Sequence, residues 1–185
     1  MTNFRCNKSI CDLSNKLFPN FQATASGNND TTEHSGVFLI KEQDIENYLQ
    51  KFEPIQLRDS KRTNVNENYR VMNFGEAKGL SFDRVLIYPT EPFIKWLKDN
   101  NAELAETSRS KLYVAITRAR HSVAIICKTN LTIDGMTNYN PNAQAHTFAN
   151  HTKPTHRPKF AKECACQRTT DRHDKKKTAY NKGLA

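Results

Sequence analysis

Short apolar segments alternate with amphipathic segments along the first two thirds of the chain, and this alternation limits the possible folds more than any other feature. Segments with the composition of strands lie at 37–40, 69–74, 84–88 and 122–127. Apolar residues at helical spacing lie at 8–17, 42–52, 93–98 and 108–119. Apolar strands that alternate with helices are typical of a parallel sheet covered on both faces. We therefore predict an α/β domain.

The composition changes towards the C-terminus. Residues 138–185 contain a single large aliphatic residue, Leu184, and a run of three lysines at 175–177. Residues 129–185 hold 10 Lys/Arg and four Asp/Glu, so they carry +6 of the net charge of +9. Such a segment cannot bury enough apolar surface to offset the entropy lost on ordering. We predict a folded domain over 1–130 and a disordered basic tail over 131–185.

Charge and cysteine content narrow the class of protein. The pI of about 9.4 favours an anionic partner, most commonly nucleic acid. No apolar run approaches the roughly 20 residues that span a bilayer, and residues 1–18 lack the apolar core of a signal peptide. We therefore expect no membrane partner and a cytoplasmic location. The five cysteines are expected to be reduced thiols, and the spacing of Cys164 and Cys166 matches no common zinc site, so no metal site is predicted.

Three motifs occur in an order that is informative. Residues 3–7 read NFRCN and precede a predicted helix, residues 73–83 read NFGEAKGLSFD and precede a predicted strand, and residues 112–120 read LYVAITRAR. They resemble motifs IV ("NYRS"), V ("T-x-H-x-x-KGLEF") and VI ("LYVAxTRA") of the UvrD/Rep-like superfamily-one DNA helicases. The resemblance covers about residues 1–128 and implies the second RecA-like motor domain of such a helicase.

The resemblance assigns catalytic and nucleotide-binding roles to two arginines. In the family, the arginines of motifs IV and VI reach across an interdomain cleft to the γ-phosphate of ATP, and the matching residues are Arg5 and Arg118. Phosphoryl transfer develops negative charge on the γ-phosphate oxygens, which a guanidinium stabilises. Arginine suits this role because it stays charged and presents a rigid fork of donors. Without the motifs, each would be interpreted as an ordinary surface arginine.

The motif V segment is expected to contact both ligands of a helicase. By resemblance, Gly79 and Ser81 would approach the nucleotide, and Asn73, Phe74 and Lys78 would bind nucleic acid. A glycine allows a close approach of backbone to a ligand. Two positions depart from the family pattern. Gly75 replaces the usual histidine, which removes one DNA contact, and Ser81 replaces the glutamate that meets the ribose, which leaves at best a weaker hydrogen bond.

Several family features are absent from the sequence. No G-x-x-x-x-G-K-[ST] segment, which cradles phosphates and holds magnesium through its Ser/Thr, occurs in the chain. In the family that segment belongs to the first RecA-like domain. ATP and Mg²⁺ would therefore bind only together with an N-terminal helicase domain, and the chain alone is expected to be inactive. We also expect the strand before Arg5 to be missing, which would leave the RecA-like domain incomplete.

Three hypotheses remain open on the sequence. The leading one is the distal half of an ATP-dependent DNA translocase, with single-stranded DNA and an N-terminal helicase domain as partners. The alternatives are a non-catalytic nucleic-acid-binding protein that uses the basic tail and the exposed cleft face, and a non-functional helicase remnant. Two aromatic residues carry structural predictions: Trp96 is expected to pack against a helix, and Tyr113 to lie in the core or, less favoured, in the cleft lining.

Overall fold

The computed structural model describes residues 1–128 and 131–142, and these form a parallel sheet with helices on both faces. The elements in chain order are β1 (Thr2–Asn3), α1 (Lys8–Leu17), β2 (Ala25–Ser26), β3 (Gly36–Lys41), a 3₁₀ turn (Glu42–Asp44), α2 (Ile45–Phe52), β4 (Ile55–Arg58), β5 (Val71–Asn73), β6 (Phe82–Tyr88), α3 (Glu91–Lys98), α4 (Glu106–Ile116), β7 (Ala119–Cys127) and β8 (Thr137–Asn138).

The main sheet has six strands in the order β5-β4-β6-β7-β3-β8, and every neighbouring pair is parallel. At its centre, Val85 of β6 lies beside Val123 of β7, which in turn lies beside Val37 of β3. A separate two-stranded sheet pairs β1 with β2 in parallel. The parallel α/β sheet flanked by helices that the sequence predicts is thus confirmed.

Alternating residues of the strands build two cores. On one face, Val85, Ile87, Val123 and Ile125 pack with apolar residues of α1, α3 and α4. On the other face, residues of opposite parity, including Leu86, Ala124 and Ile126, pack with Tyr48 and Leu49 of α2. Each fully buried aliphatic side chain contributes roughly 1.5–3 kcal/mol, so burial on both faces explains the continuous apolar runs at 85–87 and 123–127.

The structure corrects three expectations about element positions. Strand β4, which contains the buried Ile55 and Leu57, was not predicted, since its four residues are too few for a periodic signal. A two-residue strand, β1, does precede Arg5, but it pairs with β2 in the separate sheet and adds no strand to the main sheet. The third difference is that residues 131–142, which the sequence assigns to the tail, include β8, which pairs with β3. Residues 143–185, with the lysine run and Leu184, lie outside the described residues.

Tyr139 explains why the segment after β7 joins the fold. Its ring is 8% exposed and packs edge-on against Tyr48, with ring centroids 5.1 Å apart. Its hydroxyl donates to Asn47 Oδ1 at 2.6 Å, and its backbone N–H donates to the Leu39 carbonyl at 2.8 Å. Tyr139 is the one buried residue among 131–142, and the partly buried Leu131, Ile133 and Met136 pack against the core of the other face.

Candidate functional site

The amino edge of the main sheet brings together the residues of motifs V and VI. Motif VI fills the C-terminal half of α4 and the turn that leads into β7, and the end of motif V leads into β6. Strands β6 and β7 are parallel neighbours, so their amino ends lie at the same edge. The Phe82 N–H donates to the Arg118 carbonyl at 2.9 Å, which joins the two motifs where the strands begin.

Arg118 is held in the turn between α4 and β7. Its Nε donates to the Val114 carbonyl at 3.2 Å, and its Nη1 donates to the Leu80 carbonyl at 3.1 Å. These two bonds orient the guanidinium between the last turn of α4 and the motif V loop, and they use two of its five donors. Partial burial lowers the pKa of Arg118 from its usual value, and the nearby positive charge of Arg5 lowers it further.

Arg5 reaches the same turn from the other end of the chain. Its Nη1 donates to the Thr117 carbonyl at 3.4 Å, and its backbone N–H donates to Asn3 Oδ1 at 2.8 Å. The Thr117 carbonyl also accepts a contact from Cys6 Sγ at 3.5 Å. Arg5 and Arg118, which stand 113 positions apart in the sequence, therefore flank one residue, Thr117.

The segment that carries Arg5 is fixed by Asn7, two residues further along the chain. The Asn7 side chain caps α1 by accepting from the Ile10 N–H at 3.1 Å, and its Nδ2 donates to the His121 carbonyl. Its backbone N–H donates to the Arg120 carbonyl at 3.2 Å. A capping side chain of this kind contributes about 1 kcal/mol. Asn7 thus ties the start of α1 to the start of β7 and sets the distance between the two motif arginines.

No carboxylate neutralises this pair of arginines within the described ranges 1–128 and 131–142. The ion pairs there are Lys8 with Asp12, Lys111 with Asp59, and Arg120 with Asp83. Two neighbouring like charges at a partly desolvated site disfavour each other. Such an arrangement stabilises an anion placed between or beside them, and it is otherwise a cost to the fold.

A groove of about 610 Å³ opens beside Arg5 at this edge. Its lining includes Phe4, Arg5, Asn28, Ser81, Tyr113 and Arg120. Arg5 of motif IV and Ser81 of motif V therefore share one groove, which we call the amino-edge groove. Arg118 holds the Leu80 carbonyl just before Ser81. Tyr113 is half-buried, packs against the core and lines the groove, so both interpretations of this residue hold in part.

The motif V loop runs from the carboxyl edge of the sheet to the amino edge. Asn73 ends β5 at the level of Arg58 and Tyr88, the last residues of β4 and β6, whereas Phe82 begins β6 at the opposite edge. Gly79, with φ +87°, makes the turn, and the position where a Cβ would stand has no neighbouring atom within 4 Å. A glycine is required by this backbone conformation, and the open space leaves room for a ligand.

The predicted nucleic-acid contacts are only partly accessible. Lys78 is exposed, and Asn73 is half-buried, with its Nδ2 donating to Glu76 Oε1 at 3.3 Å. Phe74 is 3% exposed, and its side chain belongs to the core. The reason is that the loop must cover the sheet as it crosses, and Phe74 and Ala77 are the residues that do so.

Sequence reasoning missed Phe4, which lies next to Arg5. Its side chain is 78% exposed, and a Cβ added at Gly27 would stand 2.7 Å from its ring, so the ring lies against the Gly27 backbone. An exposed aromatic ring beside an arginine favours ligand binding. The position of Phe4 next to the motif IV arginine could have pointed to it in the sequence. Trp96, by contrast, is 2% exposed and stacks on Phe93, which confirms the packing prediction.

Two further observations describe the rest of the molecule. A cavity of about 630 Å³ lies at the carboxyl edge, beside Tyr88, Cys127 and Lys128. None of the motif residues lines it, so we place the candidate site at the amino edge, where Arg5 and Arg118 lie. In the described part of the chain, no helix is long and apolar enough to cross a bilayer, and no three His, Cys, Asp or Glu side chains gather in a possible metal site.

The fold and the site together define an α/β domain that carries two neighbouring arginines at the amino edge of a parallel sheet. The sequence model of the UvrD-like helicase C-terminal domain matches residues 38–130, half of the chain, and includes motifs V and VI. The chain therefore belongs to the UvrD-like helicase C-terminal domain family. Arg5 lies outside the matched range. No curated protein matches the chain.

Solved structures give remote likenesses. The chain is similar to PRRSV nsp10, a helicase, at 21% identity and a TM-score of 0.43, and the match covers 68% of this chain and 23% of that one. It is also similar to the C-terminal domain of a possible DNA helicase from Lactobacillus plantarum WCFS1, at 16% identity and a TM-score of 0.44, with 74% and 98% covered. The chain thus spans about a quarter of the viral helicase.

Proposed function

We propose that this chain is the second motor domain of an ATP-dependent DNA helicase or translocase. In this proposal Arg118 and Arg5 contact the γ-phosphate of an ATP whose phosphates and Mg²⁺ are held by an N-terminal helicase domain. The observation that supports it is the convergence of two unneutralised arginines on the Thr117 turn. A γ-phosphate at this position would offset their mutual repulsion and gain the charge stabilisation that phosphoryl transfer requires.

The amino-edge groove suits the rest of a nucleotide. The exposed ring of Phe4 offers an aromatic face for the base, and the free hydroxyl of Ser81 offers a hydrogen bond to the sugar. Gly79 has the open backbone that a closely bound ligand needs. We assign these three residues to the nucleotide, so the groove and the arginine pair form one site that is complete only when a phosphate-binding domain faces it.

The nucleic-acid strand is assigned to the motif V loop. Half-buried Asn73 lies where the loop leaves the carboxyl edge, and exposed Lys78 lies further along the loop, next to Gly79. Closure of the cleft on ATP would pull the end of the loop at the amino edge of the sheet through the bond from Arg118 to the Leu80 carbonyl, and this would shift the nucleic-acid contact. The motif V loop would therefore connect closure of the cleft to movement of the nucleic-acid contact. The proposal places the protein in the cytoplasm, in keeping with the free thiols of Cys6, Cys11 and Cys127.

The test supplies the other domain in trans. The chain is mixed with an N-terminal helicase domain of the same family that carries a phosphate-binding loop, and ATP hydrolysis is measured with single-stranded DNA. We expect turnover that depends on both domains and falls about a thousandfold or more in Arg118→Ala, the magnitude typical of a γ-phosphate arginine. Arg62→Ala, which removes an exposed arginine that lines none of the grooves or cavities named above, serves as the control. Turnover that survives both Arg118→Ala and Arg5→Ala would contradict the proposal.

A further inference from the structure

A second pocket lies at the amino edge, next to the amino-edge groove. It has a volume of about 450 Å³ and lies where β4, β5 and β6 begin. Arg70, Arg84 and Arg120 line it, with the carboxylates of Glu53 and Asp83. We call it the arginine pocket. None of the three motif assignments places Arg70, Arg84 or Arg120 in a functional role, so the pocket is a site in addition to the Arg5–Arg118 pair.

The charges of the arginine pocket are poorly balanced from within. Neither Arg70 nor Arg84 has a carboxylate oxygen within 4.0 Å among residues 1–128 and 131–142. Arg120 lies 4.0 Å from Asp83, but these side chains are 56% and 65% exposed, so the pair contributes little. Glu53 is exposed and makes no ion pair in the same residues. The pocket therefore presents net positive charge to solvent.

Aromatic rings hold two of the guanidinium groups in place. The Arg70 guanidinium carbon lies 6.0 Å from the ring centroid of Phe82, and that of Arg84 lies 5.8 Å from the centroid of Phe52. Stacking on a ring fixes the plane of the guanidinium and leaves its edge donors available. Arg84 Nη2 reaches Thr32 Oγ1 only at 3.5 Å, so this terminal donor is weakly engaged, and the buried Nε has no hydrogen-bond partner in the described part of the chain. Weakly engaged terminal donors on a charged group favour an anionic ligand.

We propose that the arginine pocket binds a phosphate group. A phosphate oxygen accepts the charge-assisted, forked hydrogen bonds that fixed guanidinium edges offer. Ser81 and Arg120 line both this pocket and the amino-edge groove, so a phosphate-bearing ligand passes from one to the other without interruption. The phosphate belongs either to a free polyphosphate or nucleotide, or to the backbone of a nucleic-acid strand. This site requires no ATP hydrolysis and does not depend on the proposed function.

The test follows the arginine side chains themselves. The Nε–Hε signals of the ¹⁵N-labelled full chain are recorded by NMR during separate titrations with inorganic pyrophosphate and with a twelve-nucleotide oligothymidine. We expect saturable shifts of the Arg70 and Arg84 signals, with the Arg62 signal unchanged as the internal control. Arg70→Gln removes an exposed side chain and should leave the fold intact, whereas Arg84→Gln removes a half-buried one. Each is expected to weaken binding at the remaining arginine about threefold, in line with an exposed charged contact.

The outcomes separate the sources of the phosphate and the two proposals. Shifts with pyrophosphate alone support the site and assign it to a free polyphosphate, and shifts with the oligonucleotide support it and assign it to a nucleic-acid strand. Arg70 and Arg84 signals that move no more than that of Arg62 with either ligand overturn the inference. If Arg5 and Arg118 respond while Arg70 and Arg84 do not, the arginine pocket fails and the proposed function stands. If Arg70 and Arg84 respond while Arg5 and Arg118 do not, the arginine pocket stands, and the proposed function is decided by the hydrolysis assay with the N-terminal domain.

Discussion

The buried His34 makes a quantitative prediction about stability at low pH. Its ring is 3% exposed and lies between Phe38 and Phe52, with centroid distances of 3.8 Å to each. Its Nε2 shares a 2.8 Å hydrogen bond with the Tyr48 hydroxyl. Burial lowers the pKa of His34 from 6.5 to about 4, and the charges of Arg84 and Lys51 contribute to the shift. The histidine is therefore neutral in the fold at neutral pH.

The sign and size of the effect follow from proton linkage. The unfolded chain binds a proton at His34 as the pH falls below about 6.5, whereas the folded chain resists until about 4. The contribution is thus complete above pH 6.5, falls between these two values and is lost below about 4. Linkage over this window gives a loss of about 2 kcal/mol between pH 7 and pH 5. This is a large fraction of the roughly 5–15 kcal/mol by which domains are stable.

The assay is urea unfolding followed by the fluorescence of Trp96, the single tryptophan of the chain. The wild-type free energy of unfolding should fall by about 2 kcal/mol from pH 7 to pH 5. His34→Gln should be less stable at pH 7 and nearly independent of pH over this range, because the titrating group is gone. His121→Gln, outside the aromatic cluster, should keep the wild-type dependence. A His34→Gln variant with the wild-type slope would refute the reasoning.

Three further predictions test other parts of the structure. Tyr139→Ala should lower the free energy of unfolding by about 2–4 kcal/mol, because it empties a buried ring site and leaves Asn47 without its 2.6 Å partner. The control Phe21→Ala, at a 74% exposed position, should change that free energy by less than about 0.5 kcal/mol. Equal effects of the two substitutions would contradict the assignment of residues 131–142 to the fold. The chain alone should not hydrolyse ATP with saturating single-stranded DNA, and purified turnover lost in Arg118→Ala would show otherwise. A version ending at residue 142 should bind single-stranded DNA more weakly and with a shallower salt dependence than the full chain, because residues 143–185 hold 10 Lys/Arg and three Asp/Glu. If this segment engages about four phosphates, the plot of log affinity against log salt concentration has a slope near −3 for the full chain. An unchanged slope in the shortened version would assign the contact to Lys78 instead.

The sequence predicts the central layers of the fold because their signals are local. Strand β7 and helix α4 have long apolar runs or helical spacing, and both appear where expected. Strand β4 has only four residues, and β1, β2 and β8 have two each, so no periodicity can reveal them. Their pairing is decided by tertiary contacts, such as those of Tyr139, that sequence spacing does not encode.

The sequence likewise predicts the part of the candidate site that lies within motifs, and does not predict the part that depends on tertiary contacts. Motif resemblance identifies Arg5 and Arg118 as partners, and the structure places them on either side of Thr117. Resemblance does not reveal that Phe74 covers the sheet, because a motif gives residue types in order and does not show which side chains are buried. The arginine pocket is also invisible in the sequence, since Arg70, Arg84 and Arg120 come from three separate segments that only the parallel register brings to one edge.

The central claim is that Arg5 and Arg118 together form a receptor for the γ-phosphate. The most direct measurement is an NMR titration of the ¹⁵N-labelled full chain mixed with an unlabelled N-terminal helicase domain of the same family and Mg²⁺, in which the Nε–Hε signals of both arginines are followed with ATP, ADP and AMP in turn. We predict that both signals shift together, most with ATP and least with AMP, and that Arg118→Gln abolishes the Arg5 response because the two guanidinium groups share one anion. Arginine signals that ignore ATP, or that respond equally to all three nucleotides, would contradict the claim.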